Sequence, residues 1–282
     1  MTIESGALYV VATPVGNLAD LSERAREVLT GVAWVAAEDT RHSQPLLRHV
    51  GSRARLLAAH EHNEREAAAR IVELLSSGEA VALVSDAGTP GVSDPGARVV
   101  AAVRAAGHRV IPLPGPCAAV VALSASGFDD PHFLFYGFLP PKAVQRRQAL
   151  AVLKDQPWTV VFYEAPHRVL ETVSDLAALF GERRLLIGRE LTKLFETIAV
   201  LPLPEAVAWL QADPHRLKGE FVLAVSAAPA VAASGEGERA LRLLLADGLS
   251  VSQAAKLAAA ISGDGRKELY ETALRLKGDS AT

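Results

Sequence analysis

Three short segments rich in glycine and proline are the parts of this sequence best suited to hold a small ligand. They are residues 13–17 (TPVGN), 85–91 (SDAGTPG) and 113–117 (LPGPC), and each follows an apolar run. Glycine lets the backbone approach a ligand closely, and proline stiffens the loop around it. Each segment alone could be an ordinary tight turn, but the three together predict a crevice lined with backbone donors and acceptors.

The same segments exclude two common nucleotide sites. No G-x-G-x-x-G pattern follows the first apolar run, and a P-loop lysine is absent from the sequence. NAD and ATP are therefore poor candidates. The pattern predicts a nucleotide-sized ligand that is held in another way.

The elements that would position these segments alternate through the first half of the chain. Strands are predicted at residues 7–13, 34–37, 80–85 and 109–113. Helices are predicted at 21–29, 40–50, 64–77, about 95–107 and 116–126, the fourth of them capped at Ser93-Asp94-Pro95. Such alternation predicts an α/β fold with a mostly parallel sheet, whose ligands lie at the carboxyl ends of the strands.

The second half repeats this alternation less regularly and ends in helices. Strands are predicted at 133–138, 158–163, 184–188, 195–200 and 220–226, and helices at 143–153, 167–179 and 204–211. Four parts follow from this pattern: an N-terminal α/β domain (1–117), a second α/β domain (118–226), a linker of small residues (227–237) and a helical domain (238–282). The last domain contains three short helical patterns and is similar to a helix-turn-helix.

Composition limits the class of protein. Half of the 282 residues are apolar, which is typical of a globular chain. No apolar run reaches the roughly 18 residues of a membrane span, and the start of the chain does not have the pattern of a signal peptide. The one cysteine, Cys117, excludes an intramolecular disulfide and fits a cytoplasmic location. The net charge of −3 counts against a nucleic-acid partner unless a basic surface is local.

Longer strings of the sequence resemble a known family. LYVVATPVGNLAD, VALVSDAGTPGVSDPG, PLPGPCAAVVALSASG, FYEAPHR, GRELTK and KGEFVL are similar to the tetrapyrrole methylase superfamily. The strings EDTR (38–41), HEHNE (60–64) and GFLP (137–140) resemble more narrowly its ribosomal RNA small subunit methyltransferase I branch. The resemblance covers nearly the whole chain.

This resemblance implies a fold, a cofactor and a reaction. The fold is the two-domain α/β arrangement of class III methyltransferases with a small C-terminal helical domain, and S-adenosylmethionine binds in the cleft between the domains. The reaction is methylation of a cytidine ribose 2′-oxygen in the decoding region of 16S rRNA, and the expected partner is this RNA within the small ribosomal subunit. The protein is expected to be a homodimer. Cofactor contacts are expected from Pro14, Gly16, Asp86, Ala87, Gly88, Pro114 and Gly115.

Further residues follow from the chemistry that the resemblance implies. Phe162 and Tyr163 end a predicted strand and could form a wall for the adenine, although core packing is an equal alternative. A ribose hydroxyl is a weak acid, so a general base should help the transfer. The catalytic candidates are Asp39, His42, His60 and Glu164. Asp39 could instead only cap the helix that follows it.

Local basic and polar groups are the candidates for RNA contact. They are Arg41, His62, Asn63, Lys142, Arg146, Arg147, His167, Arg168, Arg266 and Lys267. Arg146 and Arg147 are adjacent, so they are not expected to share one narrow helix face. His60 and His62 form an H-x-H pair, but a third ligand at clear spacing is missing and no metal is expected.

Three other functions remain open at this level. The superfamily also allows methylation of a tetrapyrrole carbon. A nucleic-acid-binding module could use the C-terminal helices and leave the three segments as scaffold, although the acidic balance counts against it. A non-catalytic sensor of a small effector is the third alternative.

Overall fold

A parallel five-stranded sheet organises the first half of the chain. The computed structural model describes residues 2–228 and 235–279. The strands are β1 (Ala7–Val11), β2 (Trp34–Ala37), β3 (Arg55–Ala58), β4 (Val81–Val84) and β5 (Arg109–Leu113), in the spatial order β3-β2-β4-β1-β5. All of their pairings are parallel. The predicted parallel sheet is confirmed, and β3 is an edge strand that the sequence pattern did not predict.

Helices cover both faces of this sheet. They are α1 (Glu23–Gly31), α2 (Thr40–Val50), α3 (Glu64–Ser76), α4 (Ala97–Ala105) and α5 (Ala118–Ser124). Successive residues of a strand point to opposite faces, and β1 shows this clearly. Tyr9 packs in one apolar cluster with α1, whereas Leu8 packs in another with α3 and α4. Both faces of the sheet are therefore buried, as a parallel sheet requires.

The start of α4 differs from the expectation. The predicted cap at Ser93-Asp94-Pro95 is wrong, because α4 begins at Ala97. Its first amide groups donate to a carboxylate from another helix: Glu64 Oε1 accepts from Gly96 N at 2.9 Å and from Arg98 N at 3.0 Å. This buried contact frees Asp94 from capping and leaves it near the end of β4.

A second sheet organises residues 133–225. Its strands are β6 (Phe133–Phe138), β7 (Thr159–Glu164), β8 (Arg184–Arg189), β9 (Thr197–Pro202) and β10 (Phe221–Val225), in the order β6-β7-β10-β8-β9. Only β6 and β7 are parallel, and the other pairs are antiparallel. The helices α6 (Ala143–Leu153), α7 (Val169–Phe180) and α8 (Leu203–Gln211) accompany it. The less regular alternation of the sequence thus corresponds to a mixed sheet.

A buried ion pair joins α6 to α7. Arg146 is only 2% exposed, and its Nε donates to Asp175 Oδ2 at 2.7 Å. Arg147 Nε donates to Asp175 Oδ1 at 2.7 Å, so one carboxylate binds both arginines. As expected, the two arginines lie on different faces of α6, with Arg146 buried and Arg147 exposed, but their long side chains converge on Asp175. Arg146 links α6 to α7 and, because it is buried, is not the RNA contact that the sequence predicts.

The C-terminal residues form a unit of three helices. The described residues divide into two compact units, one ending at Ala227 and the other beginning at Ala228. The second contains α9 (Gly235–Ala246), α10 (Val251–Ser262) and α11 (Arg266–Asp279), and its small core includes Leu241, Ala255 and Leu269. A capping box of Ser250 and Gln253 begins α10. Arg266 and Lys267 are exposed at the start of α11.

The predicted linker coincides only in part with the described chain. Residues 229–234 of the predicted segment 227–237 lie outside the described residues, and Gly235 already belongs to α9. The other domain limits stay predictions. Among the described helices, none is both long and apolar enough to cross a membrane.

Candidate functional site

The order of the first sheet brings the three glycine and proline segments together. They follow β1, β4 and β5, which are neighbours, so they leave the same edge of the sheet. Thr13 N donates to Gly88 O at 2.8 Å, and Gly88 N donates to Thr13 O at 2.9 Å. Thr89 Oγ1 donates to Pro116 O at 2.9 Å. The segments form one hydrogen-bonded rim, as their common pattern predicted.

A cavity of about 400 Å³ opens beside this rim. It lies between the carboxyl ends of the first-sheet strands and residues at the ends of β6, β7 and β10. Its lining is mostly apolar with a few acidic groups, which is typical of a small-molecule site. The residues that line it include Val15, Glu38, Asp86, Ala87, Gly88, Thr89, Val92, Asp94, Cys117, Phe138, Tyr163, Glu164, Leu191 and Phe221.

Four of the predicted cofactor residues line this cavity: Asp86, Ala87, Gly88 and Tyr163. Phe162 does not, because it is fully buried in the apolar core of the second sheet. Neighbouring residues of a strand face opposite sides, so only one of the two aromatic residues on β7 can face the cavity. Phe162 is therefore a core residue, and the expectation that it forms an adenine wall is wrong.

Phe138 is the aromatic residue that sequence reasoning missed. It ends β6, lines the cavity and contacts Tyr163, with 5.7 Å between the ring centroids. Its place in the chain, directly after the glycine of the GFLP string, was the available signal. Phe138 and Tyr163 together give the cavity an aromatic wall.

Two of the remaining predicted cofactor residues, Gly16 and Gly115, have structural roles. A Cβ atom on Gly16 would lie 2.9 Å from the Leu191 carbonyl oxygen, and one on Gly115 would lie 2.7 Å from the Ala12 Cβ. Glycine is required at both positions because other parts of the chain approach so closely. Neither glycine lines the cavity, nor does Pro114, and Pro14 lines a separate groove. Contact of these four with a cofactor stays a prediction.

Three carboxylates face the cavity from two neighbouring strand ends: Glu38, Asp86 and Asp94. Burial raises the pKa of Glu38, and the negative charge of Asp86 raises it further. Burial, followed by the charge of Glu38, raises the pKa of Asp94 to about 6. Glu38 Oε2 is buried and has no hydrogen-bond partner among the described residues. Desolvated negative charge of this kind favours a cationic ligand.

Sequence reasoning identified only Asp86 of these three. Glu38 stands in the EDTR string directly after β2, next to the favoured Asp39. The S-D-P string instead predicts a helix cap at Asp94, because a capping residue followed by proline commonly begins a helix. Their approach to Asp86 depends on β2 and β4 being neighbours in the sheet.

Asp39 is the N-cap of α2. Its carboxylate accepts from Arg41 N at 2.8 Å and pairs with Arg41 Nη2 at 2.7 Å, and these contacts hold the pKa of Asp39 well below its usual range. The side chain does not line the cavity, whereas the Asp39 amide donates to Asp86 Oδ1 at 3.1 Å. The geometry supports the capping alternative and gives no support to Asp39 as a general base, because a carboxylate of low pKa accepts protons poorly.

We expect Asp39→Asn to retain most of the activity of the wild-type protein, since asparagine is an equally good N-cap. Asp39→Ala should lower the melting temperature and reduce activity only in proportion to the loss of folded protein. Thermal unfolding and turnover, measured on both variants, separate the two roles. A large loss of turnover in a stable Asp39→Asn protein would restore Asp39 as a catalytic residue.

Glu164 is buried at the end of β7 and touches the cavity, but its oxygens are occupied. Oε1 accepts from Ala165 N at 2.8 Å, and Oε2 accepts from Thr172 Oγ1 at 2.6 Å. Arg168 Nε lies 3.2 Å from Oε1, and Arg168 Nη2 donates to Leu139 O at 2.7 Å. These contacts hold β7, α7 and the turn after Phe138 together. Glu164 is thus better placed to hold the aromatic wall of Phe138 and Tyr163 in position than to accept a proton.

The same contacts correct the expectation for Arg168. Its side chain is only 15% exposed, and it donates to the chain's own carbonyl oxygens. It is therefore a positioning residue for the turn at Leu139 and is unavailable to RNA phosphates. Its neighbour His167 remains exposed.

The other predicted residues lie outside the cavity. His42 is exposed near the start of α2, close enough to Glu38 to lower the pKa of that carboxyl. His60 is exposed with its ring centroid 6.0 Å from that of His62. Asn63 Oδ1 accepts from His60 N at 2.9 Å and shapes the turn before α3. Several predicted RNA contacts are exposed: Arg41, His62, Lys142, Arg147, Arg266 and Lys267. In residues 2–228 and 235–279, no three potential metal ligands cluster.

Comparison with known proteins gives consistent matches over both units. The family model of tetrapyrrole (corrin/porphyrin) methylases matches residues 7–207, and that of the RsmI C-terminal HTH domain matches residues 231–277. The ribosomal RNA small subunit methyltransferase I of Pseudomonas aeruginosa is 50% identical over 99% of this chain and 100% of its own length. The protein of the same name from Escherichia coli O157:H7 is 48% identical over 97% and 96%.

A solved structure shows the same fold at low sequence identity. It is the uroporphyrin-III C-methyltransferase from Thermus thermophilus in complex with S-adenyl homocysteine, which is 16% identical with a TM-score of 0.55. The match covers 78% of this chain and 97% of that one. At this identity the likeness concerns the fold of the α/β part alone.

Proposed function

This chain belongs to the tetrapyrrole methylase family, and within it to the ribosomal RNA small subunit methyltransferases I. We propose that it transfers the methyl group of S-adenosylmethionine to the 2′-oxygen of a cytidine ribose in the decoding region of 16S rRNA. Its relatives of that name are 50% and 48% identical over nearly the full length of the chain, and they identify it as an rRNA methyltransferase. The cofactor, the target atom, a cytoplasmic location and a homodimer are parts of the proposal. The ribosomal subunit is the proposed partner.

The observation that carries the proposal is the acidic cavity with an aromatic wall. S-adenosylmethionine has two positive groups, the sulfonium and the amino group, and a flat adenine. Glu38, Asp86 and Asp94 supply negative charge in a desolvated setting, which stabilises the two positive groups. Phe138 and Tyr163 offer a surface for the adenine. The residues present therefore fit this cofactor.

The chain's own residues also determine what happens to the acceptor. When bound, S-adenosylmethionine supplies an electrophilic methyl group and leaves as S-adenosylhomocysteine. The protein must orient the ribose hydroxyl and take its proton. Glu38 is the group best suited to accept that proton, because burial raises its pKa and one of its oxygens is free of partners in the described structure.

Transfer of labelled methyl groups tests the proposal. Purified protein is incubated with labelled S-adenosylmethionine and small ribosomal subunits that lack this modification, with uroporphyrinogen as the parallel substrate. We expect label in one 2′-O-methylated cytidine and none in the tetrapyrrole. Label in the tetrapyrrole alone would contradict the proposal that RNA is the substrate. Failure to bind S-adenosylmethionine would favour the alternative that the chain is a nucleic-acid-binding module.

Cofactor affinity should depend on pH through Asp94. Its carboxyl has a pKa of about 6 in the free protein, so it is ionised above that pH and neutral below it. A cationic ligand prefers the ionised form, and affinity for S-adenosylmethionine should fall several-fold between about pH 7.5 and about pH 5. S-adenosylhomocysteine lacks the sulfonium charge, so its affinity should change less. Isothermal titration calorimetry at both pH values measures the difference.

Asp94→Asn is the matched control for this pH dependence. The amide is neutral at both pH values, so the variant should bind S-adenosylmethionine more weakly at the higher pH and show a flatter profile. Glu38 and Asp86 retain their charges and leave a residual dependence. An unchanged profile in Asp94→Asn would assign the titration to one of those two groups.

A further inference from the structure

A second groove lies beside the cavity, and we propose that it binds one nucleotide of the RNA substrate, turned out of its stack so that its ribose faces the cofactor cavity. This inference rests on the proposed function and names a substrate site that the cavity itself does not provide. The groove measures about 330 Å³ and lies entirely within the first unit. It is formed by the segment after β1, the segment after β4 and the first half of α2.

The walls of the groove suit a flat base with polar edges. Pro14 and Leu18 line it from the first segment, and Pro45 and Leu46 line it from α2. Leu18 is 45% exposed, so its apolar side chain is available to contact a ligand in the groove. Apolar side chains of this kind commonly enclose a base that has left its stack.

Ser43 gives independent evidence for a ligand. The residue is only 4% exposed, lines the groove, and its Oγ has no hydrogen-bond partner in the described part of the chain. Its backbone amide is already satisfied by Asp39 O. A buried hydroxyl without a partner costs free energy, and a nucleobase edge offers both donors and acceptors to satisfy it. The hydroxyl is therefore placed to read the base.

Asp86 connects the groove with the cofactor cavity. It lines both, and its Oδ1 is fixed by the Asp39 amide at 3.1 Å. Ligands in the two spaces would therefore meet at this carboxylate, which is the arrangement that transfer from a cofactor to a ribose requires. His42 lines the same groove near Glu38, so the groups able to take a proton also lie at this junction.

Arg41 provides the contact for the RNA backbone. It lines the groove, and its side chain is 89% exposed. Its ion pair with Asp39 leaves guanidinium hydrogens free to reach a phosphate, and phosphate contacts orient an RNA without reading its sequence. The groove thus combines an exposed cation at its mouth, apolar walls and a buried hydroxyl.

Two groove variants and one control test the inference. Ser43→Ala removes the hydroxyl and adds no bulk at this buried site, and Leu18→Glu places a negative charge on the exposed wall. Gln44→Val is the control, because Gln44 is exposed on the same helix and does not line the groove. For each protein we would measure KM for undermodified small subunits, Kd for S-adenosylmethionine and the melting temperature.

We expect Ser43→Ala to raise KM for the subunit about 5- to 10-fold, which is the value of one lost hydrogen bond. The melting temperature should stay level or rise, since an unpartnered hydroxyl is removed, and Kd for S-adenosylmethionine should not change. Leu18→Glu should raise KM further, and Gln44→Val should match the wild-type protein.

Other results overturn the inference in distinct ways. A rise in Kd for S-adenosylmethionine in both groove variants would assign the groove to the cofactor. Unchanged KM in both variants would exclude a nucleotide from it while leaving the proposed function intact. No methyl transfer by the wild-type protein to RNA would overturn the proposed function and this inference with it.

Discussion

Replacing Asp86 by alanine should reduce methyl transfer by about 100-fold, because under the proposed function this side chain contacts the cofactor and also anchors the start of α2. The carboxylate lines the acidic cavity and the neighbouring groove, and its Oδ1 accepts from the Asp39 amide at the start of α2. Alanine removes the negative charge and the acceptor together. Steady-state kinetics with small subunits, together with the Kd for S-adenosylmethionine, measure the two consequences.

Asp86→Asn separates these consequences. The amide oxygen can still accept from Asp39 N, so α2 should keep its position, but the charge is lost. We expect affinity for S-adenosylmethionine to fall about 10-fold, as for a hydrogen bond to a charged group. S-adenosylhomocysteine should lose less affinity because it lacks the sulfonium charge. Equal losses for both ligands would mean that Asp86 acts through the shape of its segment.

Asp175→Asn should destabilise the protein by about 3–5 kcal/mol, because it leaves a buried guanidinium without its carboxylate. Arg146 is 2% exposed, and Asp175 is its bonded partner at 2.7 Å between α6 and α7. Arg147 also loses its partner, but it is exposed and can turn to solvent. Urea unfolding, followed by circular dichroism, measures the change in the free energy of unfolding.

Glu171→Gln is the control for this prediction. Glu171 also pairs with Arg146, at 3.2 Å, but its side chain is 69% exposed. Exposed pairs contribute about 0–1 kcal/mol, so the loss should be small. A similar loss for both variants would show that the two carboxylates share the role of holding Arg146.

The overall charge of the chain agrees with a substrate that is recognised mainly by shape. A net charge of −3 gives no general attraction for RNA. Arg146 and Arg168, two of the predicted contacts, are held by internal partners. The exposed candidates on the first unit are then Arg41, His62, Lys142, Arg147 and His167. A folded ribosomal subunit offers a fixed surface that such few contacts can orient.

The sequence by itself determined the features that depend on local backbone chemistry. Glycine and proline after three apolar runs identified the segments of the rim, because few other residues make such turns. The alternation of apolar runs and amphipathic stretches identified the parallel sheet and the limits of β2, α2, β5 and α6. The sequence also identified Asp39 as a possible N-cap of α2, since a capping side chain interacts only with the first turn of its own helix.

Only the tertiary structure decided which side chains meet. Glu38 and Asp94 join Asp86 because β2 and β4 are neighbours, and because Glu64 of α3 caps α4 in place of Asp94. Local sequence cannot show this, since spatial order in a sheet differs from order in the chain. Phe162 and Arg146 turned inward for the same reason: a residue's type limits its chemistry, but the partner that packs against it decides whether it faces a core or a ligand.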